Sequence, residues 1–426
     1  MLQIKDYPEI GERLYTGTLP NGLRLRIVPK PGFHTYYAVF AAHYGGAHRR
    51  FSVDGQMTDT PAGVAHYLEH KMFDLPGGDN ALNILTANGA DPNAFTSSGM
   101  TAYYFQCAEH FEDNLRMLLH FVSTPYFTPE TVQKEQGIIA QEIQMGDDNP
   151  GNAIFHNLLR QLYAHHPIRD KVIGTVESIA QITDQTLYDC HKAFYTPSNM
   201  VLCVEGDVDP EAILAIAEAE LPRECRPVPQ ADFGEPEDLL PLEKEHRQTM
   251  PVSAPQFLIG AKIRHAGKGP AAMRQQIVSM LALRMLLGAS SPFYTRLYAD
   301  GTLNRDFDYD VYLSSGTGTI LIDGESADPA KVLAELQAEV ARVSEQGFEP
   351  ASFERAMRSS FGARLRGLED FDSVCLSMAS SAFDDNYAFD SLAMMQTVTK
   401  EECEDFIREN LAPERLAISL IEPPRS

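Results

Sequence analysis

The segment GVAHYLEHKMF, residues 63–73, constrains the fold of this chain more than any other part of its sequence. It contains two histidines and a glutamate in the spacing H-x-x-E-H: His66, Glu69 and His70. Residues four positions apart lie on the same face of a helix, so the imidazoles of His66 and His70 can bind one metal ion together if this segment is helical. The spacing therefore predicts a helix that carries a metal site.

The residues around this segment predict the limits of the helix. Thr60 is a favourable N-cap and Pro61 a favourable first helical residue, and the run PGG from residue 76 ends the pattern. We therefore expect the helix to begin at Thr60–Pro61 and to end near residue 74. Three apolar side chains recur at every fourth position and form its core-facing stripe: Val64, Leu68 and Met72.

The chemistry of this motif favours zinc. Two histidines at positions i and i+4 are common zinc ligands, and H-x-x-E-H is the inverted form of the HExxH zinc signature. Glu69 is expected beside the open coordination position, where a carboxylate can take a proton from zinc-activated water. The alternative is a surface helix whose histidines and glutamate are merely polar.

A third protein ligand is expected from the segment TPETVQKEQGIIAQEIQM, residues 128–145. Glu135 and Glu142 are seven positions apart and lie on one face of a helix, so one can bind the metal and the other can support a ligand. Three isoleucines are expected to supply the packing around that face: Ile138, Ile139 and Ile143. A solvated acidic face is the alternative.

Composition excludes some classes of function. Lys plus Arg number 35 and Asp plus Glu 59, a formal net charge of -24 that argues against nucleic acid and less strongly against an anionic membrane. The N-terminal run MLQIKDYPEIGERLYTG has no apolar signal core, and we find no stretch near the roughly 20 apolar residues of a membrane span. We therefore expect a cytoplasmic protein. Six scattered cysteines are typical of reduced thiols.

The chain divides best at a segment rich in proline and charge, residues 221–256, which we interpret as a linker. It separates an N-terminal domain, 1–220, from a C-terminal domain, 257–426. Helical patterns in the first half cover 111–123, 129–145, 152–164 and 176–193. Each half mixes helices with strands and ends on a strand-like run, NMVLCVEGDV or LAISLIEP, which favours two related α+β domains.

These motifs, in this order, resemble those of the pitrilysin-type zinc peptidases, a family that includes insulin-degrading enzyme and the mitochondrial processing peptidase. The resemblance runs through TPAGVAHYLEHKMF, GADPNAFTSSGMTAYYF and KEQGIIAQEI, and continues to FYTPSNMVLCVEGDV. It is nearest to the small bacterial members made of paired subunits, one with the zinc motif and one without. It implies two related domains, each an antiparallel-rich β-sheet packed with α-helices.

The resemblance also implies roles for single residues. His66, His70 and Glu142 match the zinc ligands of the family, which implies one zinc ion per chain. Glu69 matches the catalytic base. Glu135 matches the carboxylate one helical repeat before the third ligand, and we group it with the catalytic residues.

Two further segments are implied to bind substrate. NAFT matches an edge strand that pairs with the substrate backbone, so Asn93, Ala94 and Phe95 are expected there, with an ordinary strand as the alternative. In the C-terminal half, relatives carry an Arg and a Tyr seven residues apart. This chain has Tyr298 and Arg305 in the exchanged order, and guanidinium and phenol differ in charge and reach.

The expected function is that of a zinc-dependent endopeptidase that hydrolyses peptides or unfolded segments. The expected partners are a peptide substrate and a homologous zinc-free subunit, because the exchanged pair indicates that a second chain completes the site. A homodimer is the fallback, and neither nucleic acid nor membrane is expected. The alternatives are a non-catalytic assembly subunit of a peptidase-like complex, although such subunits tend to lose the ligands, and a specialised maturation protease.

Overall fold

Runs of buried apolar residues form the central strands of two separate sheets in the computed structural model, which describes residues 1–424. Each sheet lies in its own packing unit. The first unit comprises Met1–Ile143, Asp170–Phe233 and Leu365–Ala388, and the second comprises Gln144–Arg169, Gly234–Arg364 and the chain from Phe389 onward.

The strands and helices alternate along the chain, as the mixed sequence patterns predict. The strands are β1 (Gln3–Tyr7), β2 (Glu12–Thr18), β3 (Arg24–Pro29), β4 (Tyr36–Ala42), β5 (Arg50–Val53), β6 (Gln56–Asp59), β7 (Ala90–Thr96), β8 (Thr101–Cys107), β9 (Met200–Gly206), β10 (Gln230–Ala231), β11 (Glu245–Thr249), β12 (Gln256–Ile263), β13 (Asp308–Ser314), β14 (Thr317–Glu325) and β15 (Ala417–Glu422). The helices are α1 (Val64–Met72), α2 (Ala81–Ala87), α3 (Phe111–Ser123), α4 (Pro129–Asp147), α5 (Pro150–Leu162), α6 (Val176–Ile179), α7 (Asp184–Phe194), α8 (Pro210–Glu220), α9 (Pro270–Leu287), α10 (Pro292–Ala299), α11 (Pro329–Gln346), α12 (Pro350–Gly367), α13 (Phe371–Phe383), α14 (Asp390–Met395) and α15 (Lys400–Asn410).

The first unit is built on a seven-stranded sheet in the order β1-β2-β3-β9-β4-β8-β7. Its central strands β4 and β9 are buried along nearly their whole length, which fits their continuous apolar sequences. Helix α13 packs on β9, β4 and β3. Strand β7 lies at the edge of the sheet and pairs with β8 alone.

The second unit is built on a five-stranded sheet in the order β11-β15-β12-β14-β13. Helix α5 packs on β12 and β15, and α9 packs against α15. The apolar faces of α9, α11 and α15 meet in one core, in which Leu281, Leu336 and Ile407 are fully or almost fully buried.

The two sheets repeat one connection pattern. In the first, β9 pairs in parallel with β3 and antiparallel with β4, and in the second, β15 pairs in parallel with β11 and antiparallel with β12. Each sheet then continues through two more antiparallel strands, β8-β7 and β14-β13. The prediction of two related α+β domains with antiparallel-rich sheets is confirmed.

The local structure differs from the sequence patterns at 176–193 and within 221–256. The pattern at 176–193 forms two helices, α6 and α7, because Thr183 caps a new helix through a hydrogen bond with the backbone of Thr186. Residues 221–256 contain strands β10 and β11, although their proline-rich sequence shows little strand pattern. Strand β11 forms because β15, far along the chain, pairs with it.

The packing units differ from the domain limits expected from sequence. Gln144–Arg169 packs in the second unit, and Leu365–Ala388 packs in the first. The division into domains 1–220 and 257–426 with a linker at 221–256 stays a prediction. The packing units differ from it because each unit includes a segment from the other half of the chain.

One stretch, Pro270–Ala299, is long and apolar enough to cross a membrane by length and composition, contrary to the sequence expectation. It consists of two helices, α9 and α10, which residues 288–291 separate. The most apolar window is 67% buried within the protein. Core helices of folded proteins have the same composition, since their side chains also face apolar neighbours.

The thiols follow the expectation for reduced core cysteines. All six cysteines are free, and five of them are buried. Burial raises the pKa of Cys190 and of Cys203 to about 12, so these thiols are protonated and unreactive at neutral pH.

A carboxyl group lies in the middle of the first sheet. Glu205 on β9 has an exposed fraction of 0%, and Lys30 Nζ lies 3.3 Å from its Oε1. Burial raises the pKa of Glu205 to about 8, although the charge of Lys30 opposes the shift. Lys30 also pairs with Glu12, so its charge is compensated when Glu205 is protonated.

Candidate metal centre

Helix α1 begins later than its sequence predicts. It starts at Val64 with Gly63 as N-cap, whereas the hydroxyl of Thr60 donates a 2.9 Å hydrogen bond to the carbonyl of Arg49. The predicted start at Thr60–Pro61 is therefore wrong, because the capping side chain is used by the preceding strand hairpin.

Two glycines fix where α1 begins. Gly63 has φ 97°, and a Cβ atom there would lie 2.6 Å from the carbonyl oxygen of Ile173. Gly174 has φ 81°, and a Cβ there would lie 2.5 Å from the carbonyl oxygen of Ala62. Since both positions need a left-handed backbone and close backbone contact, glycine alone fits either one.

The faces of α1 divide as predicted. Val64, Leu68 and Met72 are buried and form the stripe on the core. His66 and His70 are half-buried, and their ring centroids lie 4.6 Å apart. The helix therefore holds both imidazoles side by side.

Helix α4 brings a carboxylate to the two imidazoles. His66 Nε2 lies 3.6 Å from Glu142 Oε1, and His70 Nε2 lies 3.6 Å from Glu142 Oε2. Both distances exceed those of hydrogen bonds, about 2.7–3.2 Å. They are close to the separation of about 3.4 Å between ligand atoms around tetrahedral zinc with bonds of about 2.1 Å.

These three residues fit a metal ion by geometry and by donor type. Their ligand atoms lie within 4.8 Å of one another, and the set of two imidazoles and one carboxylate is typical of catalytic zinc sites, which keep one position open. Within residues 1–424, no other three His, Cys, Asp or Glu residues meet this spacing. The side chain of Glu142 is 46% exposed, so the site is open to solvent.

The packing of α4 differs in one residue from the prediction. Ile139 and Ile143 are buried in the first core, as expected. Ile138, however, is 48% exposed. Neighbouring residues on a helix face different directions, so Ile138 faces solvent when Ile139 faces the core.

Glu135 supports one of the imidazoles. Its Oε1 lies 3.0 Å from His70 Nδ1, the ring nitrogen that faces away from the metal side. Such a carboxylate orients a ligand histidine and makes it more basic. Burial by itself lowers the pKa of His70, but the bond to Glu135 and the charges of Glu69, Glu135 and Glu142 together raise it. The same bond lowers the pKa of Glu135.

Glu142 is held as a carboxylate by its neighbours. The adjacent ring of His66 lowers the pKa of Glu142, against the opposing effect of partial burial. The ionised form is the one that binds metal ions.

Glu69 occupies an almost buried position, with an exposed fraction of 8%. The hydroxyl of Thr96, the last residue of β7, donates a 2.6 Å hydrogen bond to Glu69 Oε2. Behind it, the hydroxyl of Thr101 donates a 2.8 Å bond to the carbonyl of Tyr44 and lies 3.2 Å from the Thr96 hydroxyl. Sequence reasoning missed Thr96, although it is the final letter of the NAFT segment.

The predicted substrate strand is an edge strand. Asn93, Ala94 and Phe95 lie in β7, whose outer side has no strand partner among the described residues. Asn93 is exposed, and Ala94 and Phe95 are half-buried. The open backbone of β7 adjoins Glu69, since Thr96 of the same strand donates a hydrogen bond to it.

The two C-terminal residues expected to contact substrate lie together in the second unit. Arg305 Nε donates a hydrogen bond of 3.4 Å to the hydroxyl of Tyr298, and both side chains are exposed. In this chain the guanidinium of Arg305 and the phenol of Tyr298 therefore form a pair.

Two family models match separate parts of this chain. Residues 54–176 match the family described as "Insulinase (Peptidase family M16)", and residues 181–360 match "Peptidase M16 inactive domain". The "Uncharacterized zinc protease YmfH" of Bacillus subtilis is 35% identical over 99% of this chain and 100% of its own length.

Solved structures share the fold. An M16-like peptidase from Alicyclobacillus acidocaldarius superposes with a TM-score of 0.93 at 33% identity, over 98% of this chain and 99% of that one. Pitrilysin superposes with a TM-score of 0.81 at 14% identity, over 100% of this chain and 47% of that one, a likeness of fold.

Proposed function

The chain belongs to peptidase family M16, and from this membership we propose that it is a zinc-dependent endopeptidase that cleaves peptides or unfolded segments. The observation that carries the proposal is the convergence of His66, His70 and Glu142, with ligand atoms within 4.8 Å of one another. Because the relatives include proteins named zinc proteases, zinc is the metal we assign to this site, one ion per chain.

The roles of the residues follow from their positions. When bound, zinc supplies Lewis acidity that polarises a carbonyl and acidifies water. Glu69 takes the proton of the attacking water and transfers it to the leaving amine, as a general base and then a general acid. Its near-complete burial and the hydrogen bond from Thr96 hold the carboxylate in one orientation.

Glu135 acts through His70 rather than on the substrate. Its bond to Nδ1 leaves Nε2 free to bind the metal and fixes the plane of the ring. We therefore assign Glu135 to the catalytic machinery as a positioning residue.

The substrate is proposed to bind as an added strand. The backbone of Asn93, Ala94 and Phe95 offers unpaired hydrogen-bonding groups at the edge of the sheet. Such binding recognises the backbone of any extended chain, which supports a preference for peptides and unfolded segments. Tyr298 and Arg305 are proposed as further substrate contacts.

The test separates the base from the ligands. Glu69→Gln is expected to keep zinc but to lose about 10²- to 10⁴-fold in kcat, the usual contribution of a general base. His70→Ala is expected to lose stoichiometric zinc. Zinc is measured by elemental analysis, and turnover with a library of quenched fluorescent peptides. Full zinc occupancy in His70→Ala, or wild-type turnover in Glu69→Gln, contradicts the proposal.

A homologous zinc-free subunit is the proposed partner, in a cytoplasmic heterodimer. Two observations support it: the exchanged order of Tyr298 and Arg305, and the match of residues 181–360 to the inactive domain of the family. The pure chain is then expected to be weakly active, since loss of one oxyanion donor can cost roughly 10²- to 10³-fold. Mass in solution and cleavage rate, with and without the homologous subunit, test this. Efficient cleavage by a monomer or homodimer, abolished by Arg305→Ala, contradicts it.

A further inference from the structure

A cavity of about 590 Å³ lies in the second unit, between the end of α9, the start of β13 and one face of α12. Three arginines line it: Arg284, Arg305 and Arg355. Asp308 is the one acidic residue among its lining side chains. In a chain with a formal net charge of -24, this is a local concentration of positive charge.

The three guanidinium groups bond to hydroxyls and not to carboxylates. Arg284 donates to Ser359 at 2.6 Å, and Arg355 donates to Ser352 at 2.9 Å. Arg305 donates to Tyr298 at 3.4 Å through Nε alone. Among residues 1–424, none of the three forms an ion pair within 4.0 Å, in contrast to Arg296 on α10, which pairs with Glu335.

Apolar side chains form part of the walls between the arginines. Met285, Leu287 and Ala356 are buried there, and Phe307 is 8% exposed. Gly288 allows the chain to turn tightly into α10, since a Cβ at that position would lie 2.5 Å from the carbonyl oxygen of Arg284. The cavity therefore combines positively charged guanidinium groups with an apolar surface that can accept an apolar side chain.

We propose that this cavity binds the C-terminal carboxylate of a peptide together with its last, apolar side chain. Guanidinium groups match a carboxylate through paired N–H donors, and the hydroxyls of Ser359 and Ser352 hold two of them in place. Asp308 can accept a hydrogen bond from the peptide N–H, and its charge disfavours multivalent phosphate. The peptide part of this inference rests on the proposed function, since peptide hydrolysis creates new C-terminal carboxylates.

The probe is the blocked dipeptide N-acetyl-leucyl-leucine, compared with its C-terminal amide and with inorganic phosphate. Binding to the full chain is measured by ligand-observed NMR after zinc is removed with a chelator, so that metal cannot bind the carboxylate. The test variant is the double change Arg305→Gln and Arg355→Gln, both at exposed positions. The matched control is Arg358→Gln, which is exposed on the same helix, pairs with Glu354 and lies outside the cavity.

The acid is expected to bind about 10- to 100-fold more tightly than the amide, as for hydrogen bonds to charged groups. The double variant is expected to lose this preference, and Arg358→Gln to keep it. Equal binding of acid and amide, a preference that survives the double variant, or equal affinity for phosphate overturns the assignment. Because neither zinc nor turnover enters the measurement, a negative result here leaves the proposed hydrolysis intact, and inactivity of the enzyme leaves this binding intact.

Discussion

Replacement of Glu205 by glutamine is expected to remove a large pH dependence from the stability of the first unit. The pKa of this buried carboxyl is about 8 in the folded protein, against an ordinary value of 4.5. Between these two values, the folded state binds a proton that the unfolded state releases. The free energy of unfolding therefore falls as pH rises through this range, and the loss is complete above the folded pKa.

The magnitude follows from the shift. At 1.36 kcal/mol per pKa unit, raising the pKa from 4.5 to about 8 corresponds to about 5 kcal/mol. No discount for solvent applies, since the exposed fraction of Glu205 is 0%. Glutamine has the shape of the protonated acid, so Glu205→Gln and wild type should be about equally stable at pH 5. At pH 9 the variant should be several kcal/mol more stable.

Thermal unfolding of the metal-free protein from pH 5 to pH 9 measures the difference. For a domain of 150–250 residues, 1 kcal/mol shifts Tm by about 2–4 °C, so Glu205→Gln should melt about 10 °C higher than wild type at pH 9. Glu218→Gln, at an exposed position on α8, is the control and should follow wild type at every pH. If Tm depends on pH in the same way in Glu205→Gln and wild type, the result would falsify the reasoning. It would mean that the pKa of Glu205 in the folded protein is close to its ordinary value of 4.5.

The remaining predictions concern the metal centre. Thr96→Val should lower kcat by about 10- to 100-fold without loss of zinc, because it removes the hydrogen bond to the Glu69 carboxylate. Thr96→Ser keeps the hydroxyl and should keep kcat near that of wild type. Assays of turnover and of metal content check both variants. Glu135→Gln should weaken zinc binding by about 10- to 100-fold, and less than Glu142→Gln, in competition with a fluorescent chelator. Gly63→Ala should destabilise the protein by more than about 1–3 kcal/mol, because it adds a clash with the backbone to the strain of a left-handed conformation. Gly55→Ala, at φ 79° and with no atom near the added Cβ, should show the backbone strain alone. Denaturant unfolding of the two variants measures the difference.

Local patterns predict most elements and the side-by-side placement of the two histidines. The apolar stripe of α1 and the spacing of His66 and His70 are properties of one helix, so sequence is sufficient to predict them. The pairing of α4 with α1, which brings Glu142 to the histidines, agrees with the interpretation of a distant carboxylate as the third ligand.

What sequence could not predict depends on contacts between distant segments. The start of α1 depends on the backbone at Ile173, and strand β11 depends on β15. The bond from Thr96 to Glu69 joins a strand end to a helix, and no spacing rule connects them. The three arginines of the cavity come from α9, the approach to β13 and α12, so their proximity is a property of the fold.

The exchange of segments between the two units has a consequence for synthesis on the ribosome. The central strand β9 pairs with β3, and α13 covers both strands. Helix α13 is synthesised after all strands of the second unit except β15. The unit that carries the proposed zinc ligands therefore lacks one of its packed segments until residue 388 has emerged, when most of the chain is already synthesised. Such long-range pairing is slow and leaves apolar strands exposed meanwhile. A fragment that ends at residue 233 would contain every proposed zinc ligand and still lack the helix that covers β9.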